Sequence, residues 1–308
     1  MKDLLVGSTG FVGGNLMDSH KFAGVCHSSD IADYFGSTPE LCVYAGIPSA
    51  MFLANKDPEA DLAIMRAALE NIRRIAPKKL VLISTIAVYI DSRGKHEQDA
   101  VLTPELPAYG YNRLLLEQWV RQEYPDALIV RLPALYGKGL KKNFLFDLHV
   151  ITPAMLRPAK YEELASQSNM VKEGYSLDAA SGFYKLNGQV APEGLREWYS
   201  AQSFNALSFT DSRSLYQFYN LGRLWDDISK TLAAGVTCLN LTPPPVSAAE
   251  VYAEVTGRTG WVNELSAPPF DYDLRSAHAE LLGGNAEGYL CSKAEELADI
   301  RAFMNSLK

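Results

Sequence analysis

Short apolar runs that alternate with longer helical stretches restrict the fold of this chain more than any other feature. Five such runs occur before residue 136: LLV (4–6), AGVC (23–26), LCVYA (41–45), KLVLIS (79–84) and ALIVRL (127–132). Strands that are apolar on both faces are typical of a parallel sheet that helices cover on both sides. The pattern therefore predicts an α/β fold built on a doubly wound parallel sheet.

Two helical stretches carry clear boundary signals. Asp57 is suited to cap a helix over 57–76, Pro58 fits its first turn, and Pro77 closes it. The sequence SAAE at 247–250 is a capping box for another helix, which Gly257 is expected to end.

The alternation breaks after Gly137. Residues 138–208 mix helical patches with polar, aromatic-rich segments. A helix over 214–235, followed by a strand over 236–241, then resumes the earlier order. The predicted division is a sheet domain at 1–137 and 209–242, and a smaller mixed α/β lobe at 138–208 and 243–308.

Charge and composition exclude several classes of partner. The formal net charge is −7 over 308 residues and no long basic run occurs, which argues against binding nucleic acid or an anionic membrane. No apolar run approaches the length of a membrane span, and no signal peptide is recognised after Met1. The five histidines lack the spacing of metal ligands, so no metal site is predicted.

The cysteines favour a reducing compartment. Cys26, Cys42, Cys238 and Cys291 form no C-x-x-C pair, and three of them lie in apolar strand-like runs, where buried free thiols are expected. This usage and the absence of a signal peptide predict a cytoplasmic protein.

A glycine-rich loop follows the first predicted strand. The sequence LLVGSTGFVGGNL places Gly7, Gly10 and Gly13 between that strand and the start of a helix. The first glycine permits a tight turn, the second lets backbone amides approach a pyrophosphate, and the third lets helix and strand pack closely. Unpaired N–H groups and the helix dipole favour an anion there. This context predicts a dinucleotide-binding Rossmann domain, and the smaller lobe is then expected to bind the substrate.

As a set, the motifs resemble the extended short-chain dehydrogenases/reductases, the branch that contains the NAD-dependent epimerases and dehydratases. The glycine loop has the G-x-x-G-x-x-G spacing of that family, and VRLPALYGKG (130–139) is similar to its R-x-x-x-x-Y-G-x-G element. ISTIAVY (83–89) is similar to its SSxxVYG strand end, although Ile90 replaces the usual glycine. AYGYNRLLLEQ (108–118) follows its Y-x-x-x-K pattern, with Arg113 in place of lysine. The likeness covers most of residues 1–142 and 215–241.

The resemblance implies that the chain binds NAD or NADP. The implied contacts come from the glycine loop, the strand ends and the Tyr–Arg pair: Gly7, Thr9, Gly10, Phe11, Val12, Gly13, His27, Ser28, Ser29, Ala45, Gly46, Ser84, Tyr109, Arg113 and Pro133. The second strand ends in His27, Ser28 and Ser29 rather than in the acid that holds a ribose diol, which tilts the expectation slightly towards NADP. Asp30, one residue later, leaves NAD open.

The resemblance also implies a catalytic set of Thr85, Tyr109 and Arg113. Thr85 would hydrogen-bond the substrate oxygen, and Tyr109 would exchange a proton with it while hydride moves to or from the nicotinamide. A free tyrosine has a pKa of about 10, so work near neutral pH requires a nearby cation that stabilises the phenolate. Arg113, one helical turn along, keeps that charge, but it does not deprotonate and its shape differs from that of lysine. An ordinary half-buried tyrosine beside a solvated arginine is the structural alternative.

A small basic cluster is the candidate site for a substrate diphosphate. Lys138, Lys141, Lys142 and Asn143 follow the fifth strand near the carboxyl edge of the sheet, where ligands bind, and Arg213 is a further candidate. A solvated cationic loop explains the lysines equally well. The resemblance adds a homodimer formed through a helix bundle that includes residues 110–122.

Two functions stay open at this point. The first is an NAD(P)-dependent oxidoreductase, epimerase or dehydratase that acts on a nucleotide-activated sugar. The second is a non-catalytic or attenuated NAD(P)-binding protein in which the Y-x-x-x-R pair no longer supports turnover. Reduction of a non-sugar carbonyl would use the same machinery. The sequence names neither the sugar nor the direction of the reaction.

Overall fold

The computed structural model describes residues 1–179, 181–188 and 192–307. Its strands in those ranges are β1 (Asp3–Val6), β2 (Gly24–Cys26), β3 (Leu41–Tyr44), β4 (Leu80–Thr85), β5 (Leu128–Leu132), β6 (Ala134–Tyr136), β7 (Met155–Leu156), β8 (Tyr175–Asp178), β9 (Phe183–Leu186), β10 (Leu215–Tyr216), β11 (Phe218–Asn220), β12 (Cys238–Asn240) and β13 (Val246–Ser247). Its α-helices there are α1 (Phe11–Ser19), α2 (Met51–Lys56), α3 (Pro58–Ile75), α4 (Ala108–Glu123), α5 (Phe144–Val150), α6 (Pro158–Ala165), α7 (Asn169–Gly174), α8 (Leu195–Ser200), α9 (Leu224–Ala233), α10 (Ala248–Thr256) and α11 (Lys293–Ser306).

Six of the described strands form one sheet in the order β12-β5-β4-β3-β1-β2, and every neighbouring pair is parallel. Apolar side chains of its inner strands are fully buried, among them Leu5, Val43, Val81 and Val130. The predicted α/β fold with a doubly wound parallel Rossmann sheet is confirmed. The order of strand addition reverses between β1 and β3, so the loops after these two strands meet at the carboxyl edge, where such sheets bind ligands.

Local signals place two helices as predicted. The Asp57 side chain accepts a hydrogen bond from the Ala60 N–H at the start of α3, which ends at Ile75, two residues before Pro77. At α10, the Ser247 hydroxyl and the Glu250 carboxylate each accept the other residue's N–H, which is the expected capping box. Among the described helices, none combines the length and the apolar composition that a membrane span requires.

The predicted helix over 214–235 is wrong in its first part. The chain there forms β10 and β11, and α9 begins only at Leu224. β11 pairs in parallel with β6, and the buried Gln217 amide between β10 and β11 donates to the carbonyls of Pro243 and Leu274. Those partners are distant in sequence, so apolar spacing within the segment does not reveal them.

The chain divides into two compact units. The first comprises 1–140, 215–246 and 271–299 and contains the six-stranded sheet. The second comprises 141–214, 247–270 and the chain from Ile300 onward, and it contains the antiparallel sheet β7-β9-β8. These bounds differ from the expected division chiefly at 271–299. Leu282 and Leu290 of that segment are buried in the core of the sheet unit.

A buried ion pair fixes α4 against the sheet. Arg131 of β5 donates to both carboxylate oxygens of Glu117, with its shortest bond at 2.6 Å, and the two side chains are 2% and 0% exposed. Ser84 of β4 donates to the same carboxylate at 2.5 Å. Arg131 also donates to the Tyr89 hydroxyl at 2.6 Å and to the Glu97 carbonyl at 2.8 Å. This polar network joins β4, β5 and α4 close to the carboxyl edge.

We expect Arg131→Met to lower the free energy of unfolding by about 3–5 kcal/mol, because it leaves the Glu117 carboxylate buried without its cation. Urea denaturation measures this loss. The control is Arg121→Met, which removes a partly exposed arginine 3.7 Å from the same carboxylate and should cost about 1 kcal/mol or less. Equal losses of unfolding free energy in the two variants would contradict the assignment of Arg131 as the cation that the buried Glu117 requires.

Candidate active site

The glycine loop after β1 packs in close contact with the loop after β3. Gly7 has a φ of +92°, and a Cβ there would lie 2.6 Å from the carbonyl carbon of Ala45 and 2.7 Å from the Cα of Gly46. A Cβ on Gly13 would lie 2.2 Å from the Gly7 carbonyl oxygen. Only glycine permits both approaches, so the spacing read from the sequence has a direct steric cause.

The first turn of α1 has free N–H groups. Gly10 is the N-cap, no described side chain caps it, and the Gly14 N–H donates to the Gly10 carbonyl at 2.8 Å. The N–H groups of residues 11–13 precede this first helical bond, and they are the groups that an anion at a helix N-terminus would bind. The Gly7 N–H is committed elsewhere, because it donates to the Cys26 carbonyl at 2.7 Å.

The segment after β2 presents hydroxyl groups and an imidazole. Ser28 and Ser29 are exposed, and the Ser29 hydroxyl lies 2.7 Å from Nδ1 of His27. The Asp30 carboxylate folds back on this turn and accepts the His27 N–H at 2.7 Å. One oxygen of that acid therefore already has a partner within the turn.

Thr85 ends β4 and Tyr109 lies in the first turn of α4, and a close backbone contact holds these elements together. A Cβ on Gly110 would lie 1.9 Å from the Ala87 carbonyl oxygen, so α4 touches the turn after Thr85 at the residue next to Tyr109. The Thr85 hydroxyl oxygen accepts the Ala87 N–H at 3.2 Å and keeps its proton for another partner. The Tyr109 hydroxyl makes no hydrogen bond to another described residue, and the side chain is 7% exposed.

Arg113 is buried, and its guanidinium binds inside the protein. Nη1 donates to Asp61 and to the Tyr109 carbonyl, each at 2.9 Å. Nη2 donates to the Pro48 carbonyl at 2.7 Å and to Asp61 at 3.2 Å. The two terminal nitrogens thus use all four of their N–H donors, so these donors of the expected cofactor contact Arg113 are already occupied.

The Arg113 cation also stacks on the predicted catalytic tyrosine. Its guanidinium carbon lies 3.6 Å from the centroid of the Tyr109 ring, which is a cation–π geometry. The side chains of Arg113 and Asp61 are only 4% and 6% exposed. The structural alternative of a solvated arginine is therefore wrong.

Asp61 was missed from the sequence, although a signal exists. It lies on α3 at the spacing of the buried residues Met65, Leu69 and Ile72, so it is an acid on an apolar stripe. Such a residue needs a buried partner. Asp61 also accepts from the Asn112 amide at 3.0 Å, so one carboxylate binds two consecutive residues of α4.

The remaining candidates have other roles in the structure. Ser84 donates its hydroxyl to Glu117, and Pro133 joins β5 to β6. Asn143 caps α5, with its side-chain oxygen accepting the N–H groups of residues 145 and 146. Arg213 makes two bonds to Asp211, at 2.9 and 2.7 Å, which hold the pKa of that carboxyl well below its usual range.

The three lysines of the basic cluster are exposed. Lys138 lies 3.1 Å from the Asp18 carboxylate, and Lys141 and Lys142 are exposed. Arg213 lies 3.1 Å from Glu264 as well, so its charge is offset twice. Among the described residues, no group of three or more His, Cys, Asp or Glu could hold a metal ion.

Solved structures with a similar fold come from several bacteria. A dTDP-4-dehydrorhamnose reductase from Yersinia enterocolitica has a TM-score of 0.64 at 14% identity, over 98% of this chain and 99% of that one. The Bacillus anthracis reductase, in complex with NADP, has a TM-score of 0.62 at 15% identity, over 99% of each chain. UDP-glucose 4-epimerase from Thermotoga maritima, with UDP-glucose, has a TM-score of 0.59 at 12% identity over 100% of both chains.

These likenesses establish a shared fold at low sequence identity. A search of curated proteins found no match. The family model described as the RmlD substrate binding domain matches residues 1–155. The predicted resemblance to the extended short-chain dehydrogenases/reductases is thereby confirmed, and the chain belongs to the RmlD substrate binding domain family.

Proposed function

We propose that the chain is an NAD(P)-dependent oxidoreductase that acts on a nucleotide-activated sugar, with NADP as the preferred cofactor. The observation that carries the proposal is the contact between Gly110 and the Ala87 carbonyl, because it places the start of α4 against the end of β4. Tyr109 and Thr85 flank that contact. The similar structures, which include sugar-nucleotide reductases and an epimerase, support this substrate class.

The glycine loop fits a dinucleotide. The pyrophosphate would bind the free N–H groups of residues 11–13, next to Thr9 and Gly10. His27, Ser28 and Ser29 would hold a 2′-phosphate, and the solved reductase with NADP supports that preference. Ala45, Gly46 and Pro133 would line the cleft. When bound, the nicotinamide donates or accepts the hydride.

Two side chains would handle the oxygen of the reacting sugar carbon. In the reducing direction, Thr85 donates a hydrogen bond to the carbonyl oxygen, and Tyr109 transfers its hydroxyl proton to that oxygen as the carbon gains hydride. The phenolate left on Tyr109 then regains a proton from solvent. Both hydroxyl protons are free of other described partners, as this chemistry requires.

Arg113 would assist through its charge. The guanidinium places a positive charge over the Tyr109 ring, and the Asp61 carboxylate, which is paired with the same guanidinium, offsets part of that charge. Because Nη1 and Nη2 are bound to Asp61, Pro48 and Tyr109, a ribose hydroxyl would meet only Nε. The exposed Lys141 and Lys142 are candidate diphosphate ligands, and Asn143 and Arg213 would have to leave the partners described above to join them.

The same ion pair favours a second function. If the Asp61 carboxylate cancels most of the charge of Arg113, proton transfer by Tyr109 becomes too slow for useful turnover. The chain would then be an attenuated NAD(P)-binding protein that retains the dinucleotide site.

We expect Tyr109→Phe to lower kcat by about 10²- to 10⁴-fold and to leave NADPH affinity unchanged, because it removes only the transferable proton. Steady-state NADPH oxidation with dTDP-4-dehydrorhamnose measures turnover, and cofactor fluorescence measures binding. The control Tyr111→Phe changes the other tyrosine of this helix turn and should keep full activity. Unchanged turnover in Tyr109→Phe would refute the proposed mechanism.

Gly110→Ala should lower both stability and turnover, because its Cβ would overlap the Ala87 carbonyl oxygen. The expected loss of unfolding free energy is about 1–3 kcal/mol. Gly14→Ala is the stability control, since a Cβ there meets no atom within 4 Å and should be neutral or stabilising. Wild-type kcat in Gly110→Ala would show that the contact between Gly110 and Ala87 does not position Tyr109 for catalysis.

Arg113→Lys separates the two candidate functions. If the chain is an oxidoreductase adapted to arginine, the wild-type protein should turn over, and Arg113→Lys should lower kcat, because a compact ammonium cannot replace the guanidinium that binds Asp61 and stacks on Tyr109. An attenuated protein should show no wild-type turnover above that of Tyr109→Phe, and should gain activity with lysine. The measurement is NADPH oxidation under single-turnover conditions.

A further inference from the structure

A cavity of about 320 Å³ lies within the sheet unit. It is bounded by the end of β6, by β11 and the turn after it, by the loop after β12 and by the first turns of α11. None of its lining residues belongs to the set proposed above to bind the dinucleotide or the sugar. Its volume is at the lower end of the range for small-molecule sites.

One carboxylate oxygen in this cavity has no partner. Glu296 of α11 lines the cavity and is only 4% exposed, and its Oε1 makes no hydrogen bond to any described residue. Its Oε2 has only the Cys291 thiol, at 3.7 Å. Leaving a buried polar atom unpaired costs roughly 1–3 kcal/mol, and more for a charged group. Glu296 thus lines the cavity and has one carboxylate oxygen whose missing hydrogen bond a ligand could supply.

The neighbouring carboxylates already accept hydrogen bonds from other residues. Asp299, one turn further along α11, accepts the Tyr136 hydroxyl at 2.6 Å and the Asn220 amide at 2.9 Å. Glu295 accepts the N–H and the hydroxyl of Ser292, at 2.8 and 2.7 Å. Burial, and then the charge of Asp299, raise the pKa of Glu296 to about 8. A positive charge in the cavity would relieve both effects.

The residues that line the cavity disfavour both a phosphate and a metal ion. Three carboxylates face one basic residue, Arg223, which is itself 3.7 Å from the Asp227 carboxylate, so a phosphate is disfavoured. The described acidic residues also lack a metal-binding arrangement. Apolar groups, notably Pro243, Leu282 and Leu290, complete the wall. An organic cation satisfies all of these features, because its N–H groups bind carboxylates and its methylenes contact the apolar wall.

We propose that this cavity binds a small aliphatic primary amine, whose ammonium group donates to Oε1 of Glu296. Asp299 stabilises the same charge from the next turn of the helix. The methylene chain lies against Leu282 and Leu290. This site is independent of the proposed oxidoreductase activity.

Isothermal titration calorimetry of the whole protein with 1,4-diaminobutane tests the site, and 1,4-butanediol is the neutral probe of equal length. We expect the diamine to bind and the diol not to bind. Glu296→Gln, which keeps the shape and removes the charge, should weaken the diamine at least tenfold. Glu287→Gln changes an exposed acid outside the cavity lining and should leave the affinity unchanged.

A pH series supplies an independent readout. The groups that surround Glu296 are Asp299 and Glu295 on its own helix, Cys291 before it, Arg223 before α9 and Tyr136 on β6. Because the folded pKa of Glu296 is about 8, the ammonium must displace its proton at lower pH. Affinity should therefore rise from pH 6.5 towards 8.5, and at pH 7 binding should release protons, seen as a binding enthalpy that depends on the buffer.

Three results would overturn the proposal. They are no diamine binding to the wild-type protein, equal binding of the diol, and equal diamine affinity in Glu296→Gln. Binding of MgCl₂ in place of the diamine would overturn it as well. The wild-type titrations decide the matter even if Glu296→Gln does not fold, and circular dichroism checks the fold of each variant.

Discussion

The contact between Gly110 and the Ala87 carbonyl oxygen is the constraint on which the candidate active site depends. A Cβ at that position would lie 1.9 Å from the oxygen, so α4 can approach the turn after β4 this closely only through glycine. Farther along the helix, Glu117 bonds to Ser84 of β4 and to Arg131 of β5. The helix that carries Tyr109 is thus held at two levels, by the turn after β4 at Gly110 and by strands β4 and β5 at Glu117.

Arg113 stands where the Y-x-x-x-K motif has lysine, and the residues around it are arranged to bind a guanidinium. A buried cation needs a partner, and Asp61 provides one whose two oxygens match the planar guanidinium. The Pro48 carbonyl takes a further donor. A compact ammonium could not make all of these bonds, so arginine and Asp61 form a structural unit between α3 and α4. That unit keeps a positive charge over the Tyr109 ring and ties up the donors that lysine would leave free.

The sequence predicted those parts of the structure that depend on local spacing. Apolar runs identified the six strands of the sheet, glycine spacing identified the loop after β1, and capping residues fixed the starts of α3 and α10. Features that depend on distant partners were missed or misread. The strand β11 exists because it pairs with β6, and Arg213 is neutralised by Asp211 and Glu264. Asp61 was detectable in principle, but only its tertiary contacts identify Arg113 as its partner.

Hydride transfer from a labelled cofactor would establish whether Tyr109 and Thr85 support reduction of a sugar carbonyl. The wild-type protein is incubated with NADPH that carries deuterium at both C4 positions of the nicotinamide and with a nucleotide-activated 4-keto sugar, and the sugar product is examined by mass spectrometry. The deuterium is expected on the reduced carbon of the sugar. A protein that binds the cofactor tightly and transfers no deuterium to any such sugar would contradict it.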